Sequence, residues 1–147
     1  MEKEIFSVKK KKGKGKIKMR KESIIVVIIV VIILIVNIIT QKYTKETVEN
    51  LDNKLEELKT DMQEENIDNE KVKNKNDFIM SEWKKKYEKL AYFIEHDELE
   101  KVETELTTLK SYIETEEYEE GIPEIDRSIF ILNHIKDKFK LNLKNIF

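Results

Sequence analysis

Sixteen consecutive residues, Ile24 to Ile39 (IIVVIIVVIILIVNII), hold fifteen Ile, Val or Leu and a single polar side chain, Asn37. With Ser23 and Thr40 the run makes 18 residues, about 27 Å as a helix at 1.5 Å per residue, just enough for a hydrocarbon core of about 30 Å. Its β-branched residues favour strand in water. In lipid that preference is overridden, because an isolated segment satisfies its backbone N–H and C=O groups only by coiling into a helix. At a few tenths of a kcal/mol per residue, insertion is favoured by roughly 5 kcal/mol. A cleaved signal peptide fits less well. Its apolar core spans about 7 to 15 residues and ends in small residues, whereas Thr40-Gln41-Lys42-Tyr43 follows here, the one Ala is Ala91, and there is no Cys for a lipoprotein signal. The reading is a transmembrane signal anchor over residues 23–40, with Ile24, Ile28, Ile32, Val36 and Ile39 as membrane-anchoring residues.

Charge divides sharply around this run. Residues 1–22 carry ten basic groups against Glu2, Glu4 and Glu22, a net +7, which leaves 18 basic and 27 acidic groups, a net −9, in the rest of the 147-residue chain. Ten basic residues precede the span and only Lys42 and Lys45 follow closely, so the positive-inside rule places the N-terminus in the cytoplasm and residues 41–147 outside. The lysine run over 9–18 reads as a topology signal that also touches anionic lipid. It has no aromatic residue among its lysines to stack on bases, which argues against nucleic acid.

One Pro, three Gly and 39% charged residues are too few turn formers for a sandwich or barrel, which needs them every 8–12 residues or so. The expected fold is all-α: the transmembrane helix, then an antiparallel bundle of three to four helices. Val48, Leu51, Leu55, Leu58 and Met62 recur at spacings of 3 and 4, a narrow helical stripe too short to make a coiled coil by itself. It suits a polar stalk or a bundle helix. Asn74-Lys75-Asn76-Asp77 reads as the turn that ends it, closing a segment over 41–77. From 78 to 147 the bundle proper is expected, beginning with the dense pattern Phe78, Ile79, Trp83, Tyr87, Leu90, Ala91, Tyr92, Phe93 and Ile94. Asp97 and Glu100 have capping-box spacing. Leu99, Val102, Leu106, Leu109 and Ile113 form the next stripe, and Pro123 falls in the first turn of a last helix whose face is Ile125, Ile129, Leu132 and Ile135.

The C-terminus differs in kind. Phe139, Leu141 and Leu143 alternate at period two and are followed by Ile146 and Phe147. Such a tail either lies extended along the bundle or offers itself to another protein, and these five residues are the candidate partner contact.

No constellation for catalysis stands out. The chain has two His, no Cys, and nothing resembling G-x-S-x-G, a P-loop or H-E-x-x-H. A di-metal bundle site would show Glu-x-x-His, but Phe93 and Ile131 stand three residues before His96 and His134. Glu116, Glu117, Glu119 and Glu120 lack the Asp/Asn ladder of a calcium loop. No catalytic, cofactor or metal site is expected.

The stretch from Trp83 through Leu90-Ala91-Tyr92-Phe93-Ile94, the His96-Asp97 break and the ending His134-Ile135-Lys136 to Lys144-Asn145-Ile146-Phe147 resemble a family of short bacterial proteins, domain of unknown function 4363. The likeness covers roughly residues 19–147, and Pro123 departs from it. The resemblance implies a single-pass protein with a helical external domain, no assigned reaction, and an accessory relation to an integral-membrane partner of the YetF-like type. The functional expectation is a non-enzymatic interaction module on the cell membrane, with lipid and a membrane or envelope protein as partners and a homodimer as a further option. Its rival is an external sensor that binds a small ligand and signals through a partner.

Overall fold

The computed structural model describes residues 21–140. The basic segment before Lys21 lies outside the described residues, as do Leu141, Leu143, Ile146 and Phe147. Four helices follow one another: α1 (Lys21–Met62), α2 (Asn69–Leu90), α3 (His96–Glu114) and α4 (Tyr118–Lys138). Among the described residues there is no strand, so the fold is all-α. The chain divides into two units, one ending at Leu34 and one beginning at Ile35. In the first, the described residues are wholly α1, with Ile24 to Leu34 all exposed.

The second unit is an up-down-up-down bundle, shown by side-chain pairs that run antiparallel across each neighbouring pair of helices. Lys54–Glu82 and Lys75–Asp61 join α1 to α2. Lys110–Asp77 joins α2 to α3, and Arg127–Glu105 and Lys138–Glu98 join α3 to α4. Asn133 donating to Asp52 at 2.6 Å and Lys59 to Asp126 at 2.5 Å close the ring between α4 and α1. The predicted stripes fill the centre. Val48, Leu51, Leu55, Leu58 and Met62 from α1, Leu99, Val102, Leu106, Leu109 and Ile113 from α3, and Ile125, Leu132 and Ile135 from α4 are all buried. The segment after Thr40 is therefore a bundle helix.

The turn placed at 74–77 is not there. α2 runs straight through it, and the chain reverses between Met62 and Asn69. Tertiary packing overrides weak helix propensity here: Val72, Asn76, Ile79 and Trp83 make one buried row, so Asn76 occupies a core position. The real start is set by Asp68, whose carboxylate accepts from the Lys71 backbone N–H at 3.0 Å. The dense aromatic pattern is also split. Ile79, Trp83, Leu90 and Ile94 are buried, but Phe78 is 52% and Tyr92 89% exposed. Phe78 lies under the Lys54 ammonium, 4.6 Å from the ring centre.

Asp97 does not cap α3. The cap is Glu95, with extended backbone and no side-chain cap bond, and Asp97 and Glu98 sit in the first turn, where their charge favours the helix dipole. Pro123 lies beyond the first turn, because α4 already begins at Tyr118. The missing Pro N–H would have bonded to the Glu119 carbonyl; both residues are exposed, so water can serve that carbonyl. At the end of α3, Glu116 adopts φ 61°. The Glu116 N–H reaches the Ile113 carbonyl at 3.2 Å and the Glu117 N–H the Tyr112 carbonyl at 2.8 Å, the Schellman pattern, with glutamate where glycine is usual.

Gly121 lets α4 approach closely. A Cβ there would stand 3.0 Å from Met62 Cε and 3.3 Å from Leu109 Cδ1.

Candidate interaction surfaces

The bundle has two chemically different ends. The first gathers the part of α1 just after Thr40, the α2–α3 turn and the end of α4, since Tyr43 meets Phe93 edge-on at 6.3 Å and Phe93 meets Phe139 likewise at 6.3 Å. This is the end at which the apolar run arrives, through Ile38 and Ile39. The second gathers the α1–α2 and α3–α4 turns. There the Tyr118 hydroxyl donates to Asn69 Oδ1 at 2.9 Å and Lys73 reaches Glu116 at 3.3 Å.

At the second end lies an open groove of about 760 Å³ with Met62, Ile67 and Ile122 among its lining and Glu64, Glu116, Glu117, Glu119 and Glu120 around them. No lysine or arginine lines it. At the first end a smaller groove of about 280 Å³ is lined by Ile38, Gln41, Lys42, Lys45, Lys136, Phe139 and Lys140, with no carboxylate in the lining. The two groove linings thus differ in sign, acidic at one end of the bundle and basic at the other.

Of the sequence-predicted anchor residues, Ile24, Ile28, Ile32, Val36 and Ile39 are exposed by 42 to 61%, as are the apolar residues between them. Among the described residues α1 is the one helix long and apolar enough to cross a membrane. Asn37 accepts at its side-chain oxygen from the Gln41 amide and at its carbonyl from the Thr40 hydroxyl, so its polarity is partly used within the helix. Of the five tail residues, only Phe139 is described. It is half-buried against the core beside Phe93 and lines the basic groove. The other four, Leu141, Leu143, Ile146 and Phe147, lie outside the described residues.

Two buried or semi-buried carboxylate sites have opposite electrostatics. Burial pushes the Asp52 carboxyl up, against the hydrogen bond from Asn133 and the charge of Lys136. Burial acts the same way on Asp61, but the ammonium groups of Lys71 at 2.9 Å and Lys75 at 2.6 Å outweigh it and hold Asp61 below the ordinary carboxylate range. Glu105 is raised, first by its contact with Glu124 and then by burial, while Arg127 bridges both acids. Each of these is a structural pair between helices. Among the described residues no group of three His, Cys, Asp or Glu side chains is placed to hold a metal ion. His96 and His134 are both exposed, and the ring of His96 lies 6.4 Å from Tyr87.

The two lysines after the span were visible in the sequence as flanking charges. Their meeting with Lys136 and Lys140 was not, because it depends on α1 and α4 being antiparallel neighbours.

No curated protein and no solved structure matches the chain. A family model, described as a domain of unknown function (DUF4363), matches residues 38–146. That span is shorter than the residues 19–147 over which the likeness was expected, and it coincides with the bundle and not with most of the apolar run. It covers well over half of the sequence, so the chain belongs to the DUF4363 family.

Proposed function

We propose that this is a single-pass membrane protein with a cytoplasmic N-terminus, whose external four-helix domain acts without catalysis as an accessory module that binds another membrane or envelope protein. The observation that carries this reading is the groove lined by both acidic and apolar side chains at the bundle end farther along the chain from the apolar run. Apolar side chains among polar ones suit a protein-docking surface; Lys71 and Lys73 pair with Glu64 and Glu116, and the remaining acids Glu117, Glu119 and Glu120 favour a basic partner segment. The charge asymmetry about residues 23–40 supports the orientation, and the exposure of every apolar residue from Ile24 to Val36 supports burial of that stretch in lipid or against another membrane helix.

The test is in-cell crosslinking followed by affinity purification in mild detergent. It compares the full chain, a chain truncated after Lys140, and a Glu64→Gln/Glu116→Gln/Glu119→Gln/Glu120→Gln variant. A membrane or envelope protein recovered with the full chain and lost with the groove variant is the expected result. Loss with the truncated chain alone moves the contact to the tail. Recovery of this chain alone in all three sinks the accessory reading.

A further inference from the structure

The four lysines at the Ile38 end of the bundle come from α1 and from the end of α4 and its C-cap. Lys42 pairs with Glu46 at 3.7 Å and Lys45 with Glu49 at 3.8 Å, each acid one turn farther from the apolar run. Just beyond α4, Lys140 pairs with Asp137 at 2.5 Å, and the cation stands at the Ile38 end of the bundle. For an isolated helix Lys before Glu at i, i+4 is the weaker order, and α1 uses it twice. These pairs are at least half exposed, so solvent screens them and their ammonium groups remain available to a stronger anion. Lys136 has no carboxylate within 4.0 Å among the described residues. The charges facing it from neighbouring elements are Asp52 on α1 and, one residue along α4, Asp137.

Together these side chains line one groove whose remaining lining is Ile38, Gln41 and Phe139. Ile38 belongs to the apolar run, so the groove begins where that run ends. A separate observation marks the same end: Tyr92, in the α2–α3 turn, is 89% exposed, and a tyrosine at a membrane–water boundary finds apolar and wet surroundings at once. Lys86, 5.5 Å from the Tyr43 ring centre, adds a further cation to this end.

We propose that the Lys42, Lys45, Lys136 and Lys140 groove binds the phosphate headgroup of an anionic phospholipid, with Ile38 and Phe139 against its glycerol and upper acyl chain. Set against Glu46, Glu49 and Asp137, the four lysines leave one net positive charge for the single negative charge of a phosphodiester. The apolar residues distinguish a lipid from a free anion. The inference rests on the membrane reading of residues 23–40. It is independent of which leaflet the bundle faces, and of the basic segment before the span.

The test uses the full chain purified in mild detergent and mixed with phosphatidylglycerol and phosphatidylcholine of matched acyl chains, with bound lipid counted by native mass spectrometry. The Lys42→Gln/Lys45→Gln/Lys136→Gln/Lys140→Gln variant is expected to lose the preference for phosphatidylglycerol by about tenfold or more, given the strength of each lysine–lipid contact. The matching fourfold Lys→Arg variant, and a variant with Lys9, Lys10, Lys11 and Lys12 changed to Gln, are expected to keep it. Circular dichroism establishes that each variant retains its helices. An unchanged preference in the groove variant overturns the proposal, and so does displacement by 10 mM inorganic phosphate, which would make the groove a free-anion site. Alkaline carbonate extraction of cell membranes separates the two levels. A chain released by carbonate refutes the membrane reading and this inference with it, whereas a retained chain with no groove effect refutes the inference alone.

Discussion

Phe139 sets its ring edge against Phe93, centroids 6.3 Å apart and planes at 82°, and so ties the end of α4 to the α2–α3 turn. The residue that begins the alternating tail is a bundle residue. Phe139→Ala is expected to cost about 1–2 kcal/mol, since a half-buried aromatic loses both area and an edge-to-face partner. Thermal denaturation compared for chains ending at Lys138 and at Lys140 checks this: the shorter one melts lower.

Ser128 sits in the core row of α4 between Ile125 and Leu132, fully buried, and its hydroxyl has no hydrogen-bond partner among the described residues. Removing an unsatisfied buried hydroxyl relieves its desolvation cost. Ser128→Ala should therefore stabilise the bundle by about 1 kcal/mol in urea unfolding. A loss of stability would mean that the hydroxyl is satisfied.

At Glu116 a side chain is held at φ 61° in a position that suits glycine. Glu116→Gly is expected to raise stability by about 1 kcal/mol, less whatever the exposed pair with Lys73 contributes. The same change removes one negative charge from the acidic groove. A variant that is more stable yet recovers less partner would show that the strained residue is kept for binding.

Asp61 makes stability depend on acid. Its folded pKa lies below the ordinary value, so its contribution is fully present above about pH 4, near the unfolded carboxylate value, and disappears as pH falls through the lowered folded one. Asp61→Asn should cost about 1 kcal/mol at pH 7, and the gap to the wild type should close as pH falls below the ordinary carboxylate range. Asp52 acts with opposite sign because its folded pKa is raised. It favours the protonated folded state, so Asp52→Asn should stabilise most at neutral pH and lose that advantage in acid.

Gly121 tests packing at the α4 crossing. Gly121→Leu places a branched side chain where even a Cβ meets Met62 and Leu109 at 3.0 and 3.3 Å, and a loss of about 2–3 kcal/mol is expected. Calorimetry of the purified domain-bearing chain reads it directly.

Where periodicity was strong the sequence was a reliable guide. The stripes from Val48 and from Leu99 face the core throughout, because their 3–4 spacing leaves only one apolar face to bury, whereas in the stripe from Ile125 the residue Ile129 is only partly buried and Ser128 is buried beside it. It failed where a polar residue occupies a core position. Asn76 made a buried helical row look like a turn, and Ser128 could not be told from a surface serine. It failed again at Phe78 and Tyr92, large aromatics whose exposure depends on a cation on α1 and on a turn at the bundle's end. Neither groove could be read in advance. The lysines of one are separated by about a hundred residues of chain, and the acids of the other come from two different turns.

The short reversals at 63–68, 91–95 and 115–117 carry a kinetic consequence. Each helix docks on the one made just before it, and the last closes on the first, so most contacts are near in sequence; chains of this topology fold in microseconds to milliseconds. Once α4 has been made, the bundle therefore closes faster than single residues are added at about 5–20 per second, and it does so without a disulfide, since the sequence has no cysteine.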